Sequence, residues 1–555
     1  MKNLKTLLFT SLLVLASCTG SKDDNSSTAT ATDKGTVTKK GGKNILTINL
    51  NSEPSSLHPI MSSDYVATQV QNLVLEPLVN LDEDTLEYHP GLAEKYTISE
   101  DGKTFTFTLR ENLKWHDGTP LTTADILFTF DTYFDDRFKA LSSRPYLTNI
   151  DKPIAIDERT IQFKVNNPFH GNFGYLTGIC QPIPKHIYSD PKEKGIGLKL
   201  VGSGPYMLKE FRRGKRIILE RNPNWWGNSV PRNAKWYEGI DEVHFKFIQE
   251  PAVQMEAFKK GKIDYIFNIR SNNFVKLATG KGWGTKFHKV KTQNKGPKRY
   301  SFAYFNLKKK LFQDVRVRKA LNFAMNRPMI IKKFHHDLEL PGTGPWASQS
   351  IYANPKVKAL DFDLAQASAL LKEAGWQDED KNGILEKTID GKKTEFRFTI
   401  QTANKEAMRY LTVYKEDLTK VGIHVDLNVT EWTSYVKLID DRDFDMMLLG
   451  WGGGAIDLDP KQLWHCNNAK EGGSNYSSYC NKEVDRLIDV ARETLKREER
   501  IPVLQKIYKM IAEDYPVISL WSPKYELYTH QDRVKKEKDT LTYGLGSQLW
   551  KVIPE

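Results

Sequence analysis

After about residue 43 no low-complexity stretch interrupts the chain, and segments of strand period and helix period alternate to its end. Such a chain folds into α/β lobes that share strands rather than into beads on a string. "TFTFTLR" alternates Phe105, Phe107 and Leu109, the period of a half-buried strand. "HVDLNVTEW" repeats the pattern with Val425, Leu427 and Val429. "NKEVDRLIDVARE" sets Val484, Leu487, Ile488 and Ala491 at helical spacing, and "DLAQASALLKEAG" predicts a helix that stops at Gly375. With 555 residues, 39% of them hydrophobic, there is material for two or three cores. The 12 Trp, 23 Tyr and 26 Phe are enough to fill those cores and line a large cleft as well.

The N-terminus gives an address. "MKNLKTLLFTSLLVLASC" carries Lys2 and Lys5, then an apolar run from Leu7 to Ala16, then Ser17 and Cys18. That run is too short and wrongly flanked to span a bilayer, so 1–17 reads as an export signal. "LASC" resembles a bacterial lipobox, which implies cleavage before Cys18 and lipidation of its thiol. Residues 18–42 are polar and poor in apolar groups, and form a flexible tether. The expected location is the periplasm or the outer face of the cell membrane, with the membrane reached through the N-terminal lipid only.

Net charge is +12, and loss of Lys2 and Lys5 with the signal leaves +10. The cations are spread in short clusters, which reads as a solvated basic surface; no nucleic-acid partner is expected in an exported protein. Cys466 and Cys480 flank a polar, glycine-rich loop, so a disulfide is expected between them. Only His465 stands beside them, too few ligands for zinc, and Cys180 is left over as a buried thiol.

The motifs that would signal catalysis have plainer readings. In "WHDGTP", His116 and Asp117 precede Gly118 and Pro120, which makes a turn after a strand. His335, His336 and Asp337 in "FHHDLEL" mark the end of a helix, since adjacent histidines cannot face one ion from a regular helix. "VGSGPY" lacks the strand–turn–helix context of a dinucleotide loop. "DEDKNG" after Gly375 is a solvated turn, without the twelfth-position Glu of a calcium loop. No G-x-S-x-G, H-E-x-x-H or Walker A motif occurs, and no enzymatic activity, cofactor or metal is expected.

Four stretches in order carry a resemblance. "LAEKYTISEDGKTFTFTLRENLKWHDGTPLTTADILFTFD", "VGSGPYMLKEFRRGKRIILERNPNWW", "FNLKKKLFQDVRVRKALNFAMNRPMII" and "LTKVGIHVDLNVTEWTSYVKLIDDRDFDMMLLGW" together resemble the family 5 extracellular solute-binding proteins of ABC importers, the peptide- and nickel-binding group. The likeness runs from about 45 to 525, and "CNNAKEGGSNYSSYC" further resembles the disulfide loop of dipeptide-binding members. The resemblance implies a two-lobed periplasmic-binding-protein fold, type II-like with an extra subdomain, and a ligand cleft between the lobes. Lobe I is expected over 43–295 with an insertion at about 76–195, lobe II over 296–514, and a return to lobe I over 515–555. The strands "YSFAYFNL" and "YPVISLW" mark the crossings.

The implied function is capture of extracytoplasmic oligopeptides by hinge closure, as a monomer, and delivery to the permease and ATPase of an importer. The alternatives are nickel-chelate, murein-peptide or microcin-like cargo, or a ligand sensor on the same scaffold. Implied ligand contacts are Glu53, Pro54 and Ser55 on the first strand, Trp432 and Tyr435 in "EWTSY", and Trp451, Gly452, Gly453 and Gly454. Glycine there lets a second backbone come close and pair main chain to main chain. Peptide-binding relatives carry an Asp three residues after this Trp, against the peptide amine; here that position is Gly454. Two readings stay open: Asp457 or Asp459 replaces it, or the amine is not recognised.

Overall fold

The segment "YSFAYF" is apolar on both faces, and such a strand can only be central, with packing on either side. In the computed structural model, which describes residues 42–554 apart from 63, 139, 141–143, 179, 180, 234, 455, 471 and 472, it is the strand Tyr300–Phe305. The expected signal, Cys18, the tether and Cys180 lie outside the described residues. Ala303 and Phe305 face a cluster with Leu321, Ile330 and Leu411, while Phe302 and Tyr304 face one with Trp464, Ile488 and Tyr508.

This strand belongs to a five-stranded sheet in the order His424–Val429, Arg397–Thr402, Met446–Trp451, Tyr300–Phe305, Val517–Ser519. A seven-stranded sheet runs Phe287–Thr292, Glu526–Gln531, Tyr265–Ile266, Ile45–Leu50, Glu242–Phe247, Arg216–Arg221, Tyr206–Arg212. Ile45–Leu50 lies parallel to Glu242–Phe247. The chain therefore passes between sheets twice, through 293–299 and 520–525. Val517–Ser519 lies past the boundary drawn at 514, yet it still pairs with Tyr300–Phe305. Lys298 is buried, and its Nζ lies 2.7 Å from Glu526 Oε1, so an ion pair ties the two crossings together.

A third sheet, antiparallel and four-stranded, joins Ala93–Ile98, Thr104–Leu109, Thr160–Lys164 and Ile154–Ala155 within a core that includes Ile60 and runs on from Leu78 to Ile196. Phe105, Phe107 and Leu109 are buried there, as their alternation predicts. Glu76 stands where the chain enters this unit. Its carboxylate accepts from Trp225 Nε1 at 2.8 Å, Trp226 Nε1 at 2.7 Å and Ser203 Oγ at 3.0 Å. Burial pushes it up to about 7, and those three donors offset part of that rise.

The helix Lys482–Glu493 buries Val484, Leu487, Ile488 and Ala491, and Asn481 caps it by accepting from the N–H groups of Glu483 and Val484. Gly375 ends the helix Leu364–Glu373 at φ +85°. The edge strand His424–Val429 departs from its sequence pattern: Val425 is buried but Val429, at the strand's last position, is exposed. His116 and Asp117 lie in a turn, where Trp115 N donates to Thr119 O at 2.9 Å. The glycines of "VGSGPY" serve packing, since a Cβ on Gly202 or Gly204 would meet the Val74 carbonyl.

Cys466 and Cys480 are joined in a disulfide. It closes a loop over a sequence separation of 14, for which chain entropy alone gives about 3 kcal/mol. The double variant Cys466→Ser/Cys480→Ser is expected to lose stability on that order in urea unfolding. A loss below about 1 kcal/mol would mean that the loop's other anchors already hold it.

Candidate functional site

The strand Met446–Trp451 pairs with Tyr300–Phe305 along its whole length, but with Arg397–Thr402 only at Met446 and Met447. From Leu448 onward its second edge meets no strand among the described residues. Tyr435, on the helix Trp432–Asp440, donates its hydroxyl to the Leu448 carbonyl. Beyond that, Leu449, Gly450 and Trp451 present their backbone to open space lined by side chains. Trp451 closes the strand: its Nε1 donates to Tyr304 Oη at 2.6 Å and its ring stacks on Tyr476 at 5.9 Å.

The three glycines that follow differ in what they require. A Cβ on Gly453 would come within 2.5 Å of the Pro297 backbone, in the first crossing segment. Gly454 has φ +67° and open space where a Cβ would stand, and Gly452 is likewise open. Glycine at 453 therefore seats the loop on the crossing.

One cavity of about 610 Å³ lies on one side of Trp451. Its walls come from the inserted unit, through Tyr88, Tyr146, Phe169 and Tyr175, and from the segment Trp451–Trp464. Asp457 and Asp459 stand in this wall, and both are already paired. Asp457 accepts from Arg497 at 2.8 and 3.0 Å, from Arg500 Nη2 at 2.7 Å and from Tyr352 Oη at 2.6 Å. Burial acts to raise its pKa, but these hydrogen bonds and the two guanidinium charges hold it well below the usual carboxylate range. Asp459 is paired with Arg492 and accepts from Lys461 N at 3.0 Å. Arg492 also sits 4.0 Å over the Phe169 ring, and its carbonyl accepts from His170 N at 3.0 Å, which fastens the segment at 169–170 to the helix Lys482–Glu493.

A second cavity of about 580 Å³ lies on the other side and shares Tyr300, Trp451 and Gly452 with the first. It is edged by Arg270, Arg299 and Arg409. Arg299 pairs with the buried Glu339 at 3.1 Å, and Arg270 stands 3.8 Å from Glu406. Arg409 has no carboxylate at ion-pair distance among the described residues. Burial, then the charges of Arg299 and Arg409, lower His335 to about 4, so its imidazole is neutral. Burial also raises Glu339, with Arg299 and Ser271 opposing.

Comparison with known proteins now has geometry to rest on. The profile described as "Bacterial extracellular solute-binding proteins, family 5 Middle" matches residues 87–473. The chain belongs to this family. It is 29% identical over 552 residues to the oligopeptide-binding protein AppA of Bacillus subtilis, covering 94% of each chain. It is 27% identical to the dipeptide-binding protein of Escherichia coli, over 80% of this chain and 82% of that one. The structure of AppA with a nonapeptide superposes with TM-score 0.73 at 26% identity, covering 93% of this chain and all of AppA. NikZ of Campylobacter jejuni, solved with Ni(L-His), shares the fold at TM-score 0.73 and 23% identity, over 92% of this chain and 99% of NikZ.

The two-lobed fold of family 5 is thus the fold of this chain. Of the residues singled out in the sequence, Trp451, Gly452, Gly453, Gly454, Asp457 and Asp459 line the first cavity. Trp432 and Tyr435 join Trp451 and Gly452 in the second; Trp432 is exposed, whereas Tyr435 is 1% exposed and serves the core as well. Glu53, Pro54 and Ser55 line neither. The reason is Arg213, whose guanidinium takes the Glu53 carboxylate and the carbonyls of Pro54 and Ser55 at 2.6–3.0 Å. The readings in which Asp457 or Asp459 waits for a ligand amine meet the same difficulty, since arginines already hold both. Sequence reading missed Tyr88, Phe169, Arg409 and Arg497; the basic residues sit in "NKEAMRY" and "LKREERI", which look like ordinary solvated helix faces. Among the described residues no helix is long and apolar enough to cross a membrane.

Arg500 is 2% exposed, so removing its anion strands a buried charge. Asp457→Asn is expected to lower stability by about 3–5 kcal/mol in urea unfolding. Because the folded pKa of Asp457 is depressed, its contribution is complete above about pH 4, the unfolded carboxyl value, and drains away as pH falls through the folded one. The gap between wild type and variant should accordingly narrow on acidification below pH 4; a gap independent of pH would refute the pairing.

Proposed function

We propose that this chain is the substrate-binding protein of an ABC importer and that its cargo is an extended oligopeptide. The observation that carries the reading is the unpaired edge of Leu449–Trp451, which lines the second cavity and reaches the first at Trp451. A peptide laid along it pairs main chain to main chain, which gives affinity without demanding one sequence. AppA, solved with a nonapeptide, and the E. coli dipeptide-binding protein support that class of cargo. In this reading the lobes hinge about 293–299 and 520–525, and ligand favours the closed form by the contacts it makes only there. Cys18 carries the lipid that holds the protein at the membrane, and the permease receives the cargo.

Orientation follows from charge. The second cavity has three arginines at its edge against Glu406 and the buried Glu339, so the peptide's carboxylate end lies there, with Arg409 as its partner. Micromolar affinity would correspond to about −8 kcal/mol.

Isothermal titration with a set of penta- to nonapeptides tests the cargo, and peptide-independent behaviour would sink it. Arg409→Ala is expected to weaken free-carboxylate peptides about tenfold, on the order of one charge-assisted hydrogen bond. C-terminally amidated peptides should bind both proteins alike. Equal losses for the two peptide forms would remove Arg409 from the carboxylate site.

A further inference from the structure

The cavity under the inserted unit holds two carboxylates, and neither is available. Asp457 accepts four hydrogen bonds, two from Arg497 and one each from Arg500 and Tyr352. Asp459 is held by Arg492 and the Lys461 N–H. Three guanidinium groups thus face two carboxylates, and the local balance is already one positive charge before any ligand enters. An incoming ammonium would have to displace a guanidinium. Displacing Arg500 would leave a buried cation without an anion.

The other walls offer a cation no further anion. His170 lines the same cavity and is neutral, lowered to about 3 by burial and by the nearby Arg500 charge. The Phe169 ring face is already taken by Arg492. The remaining surface is mostly aromatic and aliphatic, through Tyr88, Tyr146, Tyr175, Trp346, Ile456 and Leu463, and its other polar side chains, Asn80, Thr177, Gln181 and Gln462, are uncharged. Gly454 adds no side chain and leaves open space beside it.

We propose that the ligand end entering this cavity is uncharged and apolar, so that the cargo is a peptide whose N-terminus is acylated or cyclised, or otherwise carries no free ammonium, and whose first side chain is bulky and apolar. The inference rests on the peptide reading above, with the carboxylate end at Arg409. Acylated and cyclised termini share the same chemistry here, an amide in place of an ammonium, buried among aromatic rings.

The test is isothermal titration of the purified protein with matched peptides, free or acetylated at the N-terminus, with Phe or Lys at the first position. Acetylated peptides are expected to bind at least as tightly as free ones, and Phe to exceed Lys about tenfold. A tenfold loss on acetylation would overturn the proposal while leaving peptide cargo intact. Absence of binding by every peptide would overturn the peptide reading itself, and the proposal with it. A gain-of-function variant supplies an independent arm. Gly454→Asp places a carboxylate with no guanidinium partner in the open space of the wall, at a positive φ that Asp tolerates better than most residues. With an unchanged thermal midpoint, it should shift the preference about tenfold toward free amines. An unchanged preference would overturn the placement of that end in this cavity.

Discussion

Everything at the candidate site depends on the chain passing between two sheets twice, and on those passages lying side by side. The Lys298–Glu526 ion pair joins them, and Lys298 is buried, so the pair is only lightly screened by solvent. Trp521–Pro523, within the second passage, pairs with Glu339–Pro341, and Glu339 in turn holds Arg299 of the first. Gly453 rests on the Pro297 backbone, so the loop after Trp451 is referenced to the same place. A lobe that rotated about these segments would carry the open strand edge with it and move one wall of the first cavity relative to the other.

The electrostatics divide the cleft into unlike halves. On the inserted-unit side, each acid has a guanidinium and the rest of the wall is ring faces, aliphatic groups and a few uncharged polar side chains. On the other side, arginines outnumber accessible carboxylates, and a neutral histidine sits among them. Between the halves runs backbone, which reads no side chain. A ligand bound across all three would be oriented by its ends and tolerated in its middle. Tertiary contact also locks the first half: Arg492 is at once the partner of Asp459, the cover of Phe169 and, through its carbonyl, the acceptor for His170 N–H. One residue therefore couples the charge state of the cavity wall to the docking of the inserted unit.

The amino-acid sequence alone determined the periodic elements and the family. Phe105, Phe107 and Leu109 announce a strand, and Val484, Leu487, Ile488 and Ala491 a helix, because burial at period two or 3.6 needs no information from elsewhere in the chain. The loop from Trp451 to Asp459 was singled out by the resemblance to family 5, and Trp451, Gly452, Gly453, Gly454, Asp457 and Asp459 line the first cavity. Where the sequence misled, the missing information was pairwise. Glu53 reads as a ligand contact until Arg213, far along the chain, takes it. Asp457 and Asp459 read as free carboxylates until the helices Lys482–Glu493 and Arg497–Asp514 bring up Arg492, Arg497 and Arg500. The aromatic walls from the inserted unit are likewise invisible, since Tyr88 and Phe169 meet Trp451 only across the cleft. Whether a carboxylate is a ligand anchor or half of a structural ion pair is a matter of distance to one particular cation, and only the tertiary structure sets that distance.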